Sequence, residues 1–268
     1  MSIKTSSPVF SAWIKVACYF LIIIAAAWLA SKIEILDSIF FYFGIALLLS
    51  YLLLRAEGKS LLSLGFKPEN RLDLKHFFVG LLVGIVALLI SGGITIWLNG
   101  SRLEFTGRID PVFLIILLLI HLWSSFAQEF TYRGYPFQQL LKAYGPWVAQ
   151  LAITLPFAVM HLKLNTLISW QQFLMTWLTT GIGSILYGIC YLKTGKLLLP
   201  IGLHLGWNLA QALLPRSPQE SKTMLFTLTQ DERLYHPTNV LLPYLGVSII
   251  MMLIISNMNI SRAESLKA

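Results

Sequence analysis

Charge is what this sequence has least of. Only 12% of its 268 residues are Asp, Glu, Lys or Arg, where an ordinary soluble domain carries about 25%. Hydrophobic residues make up 56% of the chain and the mean hydropathy is +0.72. That much apolar surface exceeds what a water-excluded core absorbs, so lipid is the expected surrounding. Acidic residues are scarcer still, 12 against 20 basic ones, and the net charge is +8. The basic residues are scattered between hydrophobic runs, however, and form no tract. Recognition of nucleic acid needs Lys and Arg gathered on one face, so no nucleic-acid partner is expected and the charge reads as loop charge flanking membrane spans. Cysteine is nearly absent. Cys18 and Cys190 both fall in apolar segments, which excludes a disulfide framework and a zinc knuckle. There is also no internal repeat, low-complexity tract or second domain, and residues 1–268 read as a single integral membrane domain.

What the chain has instead is long apolar runs. A helix crosses the hydrocarbon core in about 20 residues, and eight segments reach or approach that length: roughly 10–31, 36–54, 77–98, 111–133, 146–161, 171–192, 197–214 and 240–258. The fold class expected is therefore all-α, a polytopic transmembrane bundle of about eight helices. The first run, "VACYFLIIIAAAWLASK", has the small-residue ending of a signal peptide but reads as an uncleaved first helix. The fifth and seventh runs contain Pro156 and Pro200 and a histidine each. Irregular helices at membrane depth need protein around them, so these two are expected to lie inside the bundle. Gly80 and Gly84 form a GxxxG step, which points to close helix packing.

Loop charge sets orientation. With the N-terminus inside, twelve Lys and Arg fall on the cytoplasmic side: Lys4, Arg55, Lys59, Lys67, Arg71, Lys75, Arg133, Lys142, Lys193, Lys196, Arg262 and Lys267. Seven fall opposite (Lys32, Arg102, Arg108, Lys163, Arg216, Lys222 and Arg233), and Lys15 lies in the first span. Both termini are expected in the cytoplasm, with the basic loop 55–76 along the anionic inner leaflet. The loop 215–239 reads as a plain connection, with gating of access from outside as the less favoured role.

Ionisable and strongly polar groups inside spans are costly and mark function by default. Three clusters stand out, each at helical spacing. In "QEFTYR" Glu129 and Arg133 are four apart and share a face, while Gln128 lies on the face of Tyr132 and His121. A buried ion pair that only anchors the helix end would explain Arg133 equally well, and His121 alone reads as a packing histidine. Gly134 and Pro136 then stop the helix. In "FAVMH" His161 follows Phe157 by one turn. In "HLGWN" His204 and Asn208 point the same way, as a hydrogen-bonded structural pair also would. A carboxylate, two imidazoles and an amide can position water, transfer protons and stabilise an oxyanion. Two histidines and a carboxylate are also a zinc set, so His161, His204 and Glu129 are the candidate ligands of any divalent metal. There is no HExxH motif, and spacing leaves the metal open.

These three motifs, in this order, resemble the CPBP family of intramembrane proteases, which includes the CAAX-prenyl endoproteases and bacterial homologues and carries EExxxR, FxxxH and HxxxN or HxxxD. The stretch "GSILYGICYLKTGKLLLPIGLHLGWN" (183–208) is similar to that family's glycine-bearing helix and last motif. The protease-like core spans about 110–214. The resemblance implies a multi-pass protein of a prokaryotic plasma membrane, in contact with lipid and acting on a membrane-borne peptide or protein. It implies a hydrated cavity near the cytoplasmic side, in which His161 helps orient water, His204 and Asn208 line the oxyanion site, and Arg133 pairs with Glu129. No cofactor is required by that reading.

One position departs from the pattern. The family's first glutamate, the usual water activator, is here Gln128, and a carboxamide does not accept a proton at ordinary pH. General-base help contributes about 10²–10⁴ in rate. Either Glu129 serves as the base and the chain is an endopeptidase, which requires a loosened hold from Arg133, or the fold is kept for binding, as a scaffold or immunity-type partner, and proteolysis is lost. A transporter is a third class, disfavoured because no internal repeat of interrupted helices is present.

Overall fold

The structure is a computed structural model that describes residues 8–33, 39–162, 166–217, 221–229 and 235–258. Lys4, Lys163, Arg233, Arg262 and Lys267, which enter the expected topology, lie outside the described residues, as does part of the 215–239 loop.

Helix dominates. The elements run α1 (Pro8–Ala30), α2 (Ile39–Ala56), a 3-10 turn (Leu61–Leu64), α3 (Arg71–Leu98), β1 (Arg102–Phe105), α4 (Pro111–Arg133), α5 (Tyr135–Tyr144), α6 (Pro146–Val159), α7 (Trp170–Thr194), α8 (Leu198–Leu213), β2 (Phe226–Thr229) and α9 (Thr238–Asn257). Among the described residues, six helical stretches are long and apolar enough to cross a membrane: α1, α2, α3, α4 running into α5, α7 and α9. Many of their large apolar side chains face outward, among them Leu21 at 65%, Phe40 at 66%, Leu82 at 62% and Leu253 at 60% exposure. Outward leucines and phenylalanines on helices of this length match a lipid-facing surface. The helices start where local chemistry favours it. Asp110 Oδ1 accepts the N–H groups of Val112 and Phe113 at the head of α4, Asn70 caps α3 through Asp73 N–H, and Ser169 and Gln172 form a capping box on α7.

Three features differ from the sequence expectation. Gly134 and Pro136 do end α4, but Pro136 also opens α5, because a proline in the first turn has no N–H to leave unsatisfied. The 215–239 stretch is more than a connection: β2 pairs antiparallel with β1, with Phe105 packed against Phe226 at 5.9 Å between centroids. Lastly, α8 is enclosed as expected, with every residue from Leu198 to Trp207 buried, whereas α6 is enclosed on one face only. Its Trp147, Leu151 and Leu155, one turn apart, are exposed at 74%, 60% and 45%.

The chain's contacts gather into two compact units, each assembled from discontinuous stretches. The first takes residues 1–67 and 127–197 and so contains α1, α2, the 3-10 turn, the last residues of α4, and α5 to α7. Aromatic rings fill its interior. Tyr132 stacks on Phe20 at 5.7 Å and meets Phe157 edge-on at 4.8 Å, while Phe43 meets Phe130 at 5.4 Å. Tyr19 reaches Ser50 at 3.2 Å and joins α1 to α2.

The second unit takes residues 68–126 and 198–262, with α3, most of α4, α8, α9 and both strands. Its centre is the packing of α3 along α8. Gly80 and Gly84 on α3 face the backbone of α8, and Gly202 and Gly206 on α8 face the backbone of α3. A Cβ placed at Gly84 would lie 2.8 Å from Trp207 N, closer than side-chain carbons approach backbone. The GxxxG step thus acts in close packing and has a matching partner, since four glycines bring the helices together as small residues do in membrane bundles. Below the crossing, Ala87, Leu88, Trp207, Ala210 and Val247 form a buried cluster.

Candidate functional site

The first polar centre lies in the first unit, at the end of α4. Arg133 is the largest of its fully buried side chains, and it shares complete burial with Glu129. One turn apart on one face, they meet as the sequence expects: Arg133 Nη1 donates to Glu129 Oε1 at 3.4 Å. The stronger ties of Arg133 lie elsewhere. Its Nη2 donates to the Ser184 carbonyl at 2.6 Å and to the Ser184 hydroxyl at 2.8 Å, both on α7. The guanidinium also sits over the rings of Phe157 at 4.9 Å and Tyr187 at 5.3 Å, a favourable arrangement for a planar cation away from water. A buried charge persists only when it is paired and hydrogen-bonded, and this cradle supplies both.

Phe157 links that centre to His161. The His161 ring packs on Phe157 at 4.6 Å, and its Nδ1 lies 2.7 Å from the Phe157 carbonyl oxygen. A carbonyl only accepts, so Nδ1 carries the proton and Nε2 of the neutral ring carries the lone pair, the arrangement that a base or water-orienting group needs. His161 lies just past the end of α6 and is exposed, whereas Gln128 is half-buried on α4. Glu129, Arg133, Phe157 and His161 therefore form one connected cluster within the first unit.

The second polar centre lies in the second unit, on α8. Gly202 and Gly206 fix which face of α8 meets α3. At 100° per residue, His204 and Asn208 stand about 200° round from these glycines, on the opposite face. His204 is buried at 4% exposure and Asn208 is half-buried. His121, half-buried on α4, lies within electrostatic reach of His204. Among the described residues no group of three or more His, Cys, Asp or Glu is arranged to hold a metal ion.

Two residues escaped the sequence reading. Ser184 is the main anchor of Arg133, and Tyr187 provides part of its aromatic cradle. A serine next to glycine in an apolar helix is the only signal for Ser184, and it is the same signal that ordinary helix packing gives.

No curated protein and no solved structure matches the chain. The stretch that carries all three motifs does have a counterpart: residues 110–210 match the family described as type II CAAX prenyl endopeptidase Rce1-like, in agreement with the resemblance drawn from the motifs.

Proposed function

We propose that this chain is a multi-pass membrane protein of CAAX-protease type that receives a membrane-borne peptide and in which hydrolysis is disabled at position 128. The family match supports the protease-like role. The observation that carries the finer reading is the state of Glu129: wholly buried, facing Arg133, and in a cradle that Ser184 and two rings hold rigid. A carboxylate in that position balances a buried cation. A general base must reach the water it deprotonates within about 3 Å, and Gln128, the neighbouring side chain that is partly accessible, has no basic site. In this reading His161 orients water or the peptide, and His204 and Asn208 hold its carbonyl by hydrogen bonds. Both termini lie in the cytoplasm of a prokaryotic cell.

A second reading keeps the enzyme active. The 3.4 Å contact between Arg133 and Glu129 is long for a charge-assisted bond, and this favours a Glu129 that turns toward substrate and acts as the base. A fluorogenic prenylated peptide ending in a CAAX-type sequence separates the two. Purified protein that binds the peptide without cleaving it supports the proposal. Turnover that Glu129→Gln abolishes supports the second reading.

A further inference from the structure

A further polar site lies in the first unit, built from residues outside the three motifs. Glu57, just past the end of α2, accepts four hydrogen bonds: Lys15 Nζ at 2.8 Å, Lys59 Nζ at 3.0 Å, Tyr135 OH at 2.9 Å and Gln139 Nε2 at 2.8 Å. Its side chain is 17% exposed, those of Lys15 and Lys59 35% and 42%. Lys142, on the α5 face that carries Gln139, is exposed and has no ion-pair partner among the described residues. Two hollows flank the cluster, of about 410 Å³ and 370 Å³, and both are lined by Lys59, Gln139 and Lys142. One opens toward Lys15 and Ser11, the other toward Ser63 and Gln138.

Three ammonium groups around one carboxylate leave two uncompensated positive charges, with amide and hydroxyl donors beside them. The carboxylate is saturated by its four donors and adds no open acceptor. Lysine ammonium groups and side-chain N–H and O–H donors together suit phosphate oxygens. The setting favours one source of phosphate. Trp13 packs on Tyr144 at 5.4 Å, and Arg55 donates to Tyr51 at 2.8 Å and lies over its ring. These pairs mark the start of α1, the end of α2 and the end of α5, where aromatic and basic side chains anchor a bundle at the membrane–water boundary.

We infer that the Lys15–Lys59–Lys142 hollow is a binding site for a phosphate-bearing anion, supplied by the headgroup of an anionic phospholipid. It tethers α1, α2 and α5 to the surface of the bilayer independently of any peptide chemistry on α4, α6 and α8.

The test is a titration of the full chain in a neutral detergent, read by thermal unfolding, with short-chain phosphatidylglycerol, short-chain phosphatidylcholine or glycerol phosphate. Phosphatidylglycerol is expected to raise the melting temperature saturably and phosphatidylcholine to leave it unchanged. Lys59→Gln/Lys142→Gln is expected to weaken the response about thirtyfold, from roughly one charge's worth of surface attraction per lysine. Lys142→Gln alone removes no internal bond and is expected to show a partial loss, and Lys222→Gln in the second unit none. An equal response to glycerol phosphate would overturn the lipid source in favour of a free phosphate ester. An unchanged response in the double variant would overturn the site.

Discussion

Arg133 is held closer to Ser184 than to Glu129: its Nη2 lies 2.6 Å from the Ser184 carbonyl and 2.8 Å from the hydroxyl, against 3.4 Å from Nη1 to the Glu129 carboxylate. The pair that the sequence marks as a possible reacting group is thus fastened to α7 through its cationic member. Ser184→Ala is expected to lower stability by about 1.5–3 kcal/mol, the range for a hydrogen bond to a charged group, with melting temperature as the readout.

Removing the cation costs more. Arg133→Met strands the Glu129 carboxylate in a wholly buried position, and breaking a buried pair from one side costs about 3–5 kcal/mol. Adding Glu129→Gln to that variant is expected to restore part of the loss. Thermal unfolding of the two singles and the double checks this. A Glu129 whose replacement costs as much with Arg133 absent as with it present would remove the ion pair from the account.

The glycines of α3 make opposite expectations at two sites nine residues apart. At Gly84 an added Cβ meets the α8 backbone, and at Gly93 it meets nothing within 4 Å. Gly84→Ala is therefore expected to destabilise by about 1–3 kcal/mol through overpacking. Gly93→Ala is expected to stabilise by up to about 1 kcal/mol, the helix-propensity difference. Melting temperatures of the two variants in one detergent distinguish them.

Periodicity makes most of the fold legible in the sequence. Among the described residues, seven of the nine helices coincide with apolar runs closely enough that α4 begins and ends where the sequence places it, because long runs leave few alternatives. The eighth, α6, also coincides with a run, but its exposed Trp147, Leu151 and Leu155 stripe does not follow from Pro156, which marks an irregular helix without saying which face is covered. The short α5 is not legible, because a proline signals the stop of one helix and the start of another alike. The strand pair is not legible, because four-residue strands about 120 residues apart have no local signature. At the site, Glu129 with Arg133 and His204 with Asn208 follow from spacing within one helix. Ser184 does not, because its role depends on a partner from another helix.

Glu57 gives a pH expectation. Burial raises its pKa, but hydrogen bonds from Lys15, Lys59, Tyr135 and Gln139 outweigh that and lower it from the ordinary 4.5 to about 2. A carboxylate with a depressed pKa contributes stability that is complete above its unfolded value and lost as pH falls through its folded value. The melting temperature of the wild type is expected to fall between pH 4.5 and pH 2 more steeply than that of Glu57→Gln. Parallel curves across that window would contradict the described hydrogen bonding.

The central claim is that a carboxamide at position 128 is what separates this chain from a working protease. Its most direct measurement is the cleavage rate of a prenylated peptide by Gln128→Glu beside the wild type, in one preparation and one detergent. The account expects a wild type without turnover and a gain of about 10²–10⁴ on restoring the carboxylate, abolished again by His161→Ala. A wild type that already cleaves, at a rate Gln128→Glu leaves unchanged, would contradict it.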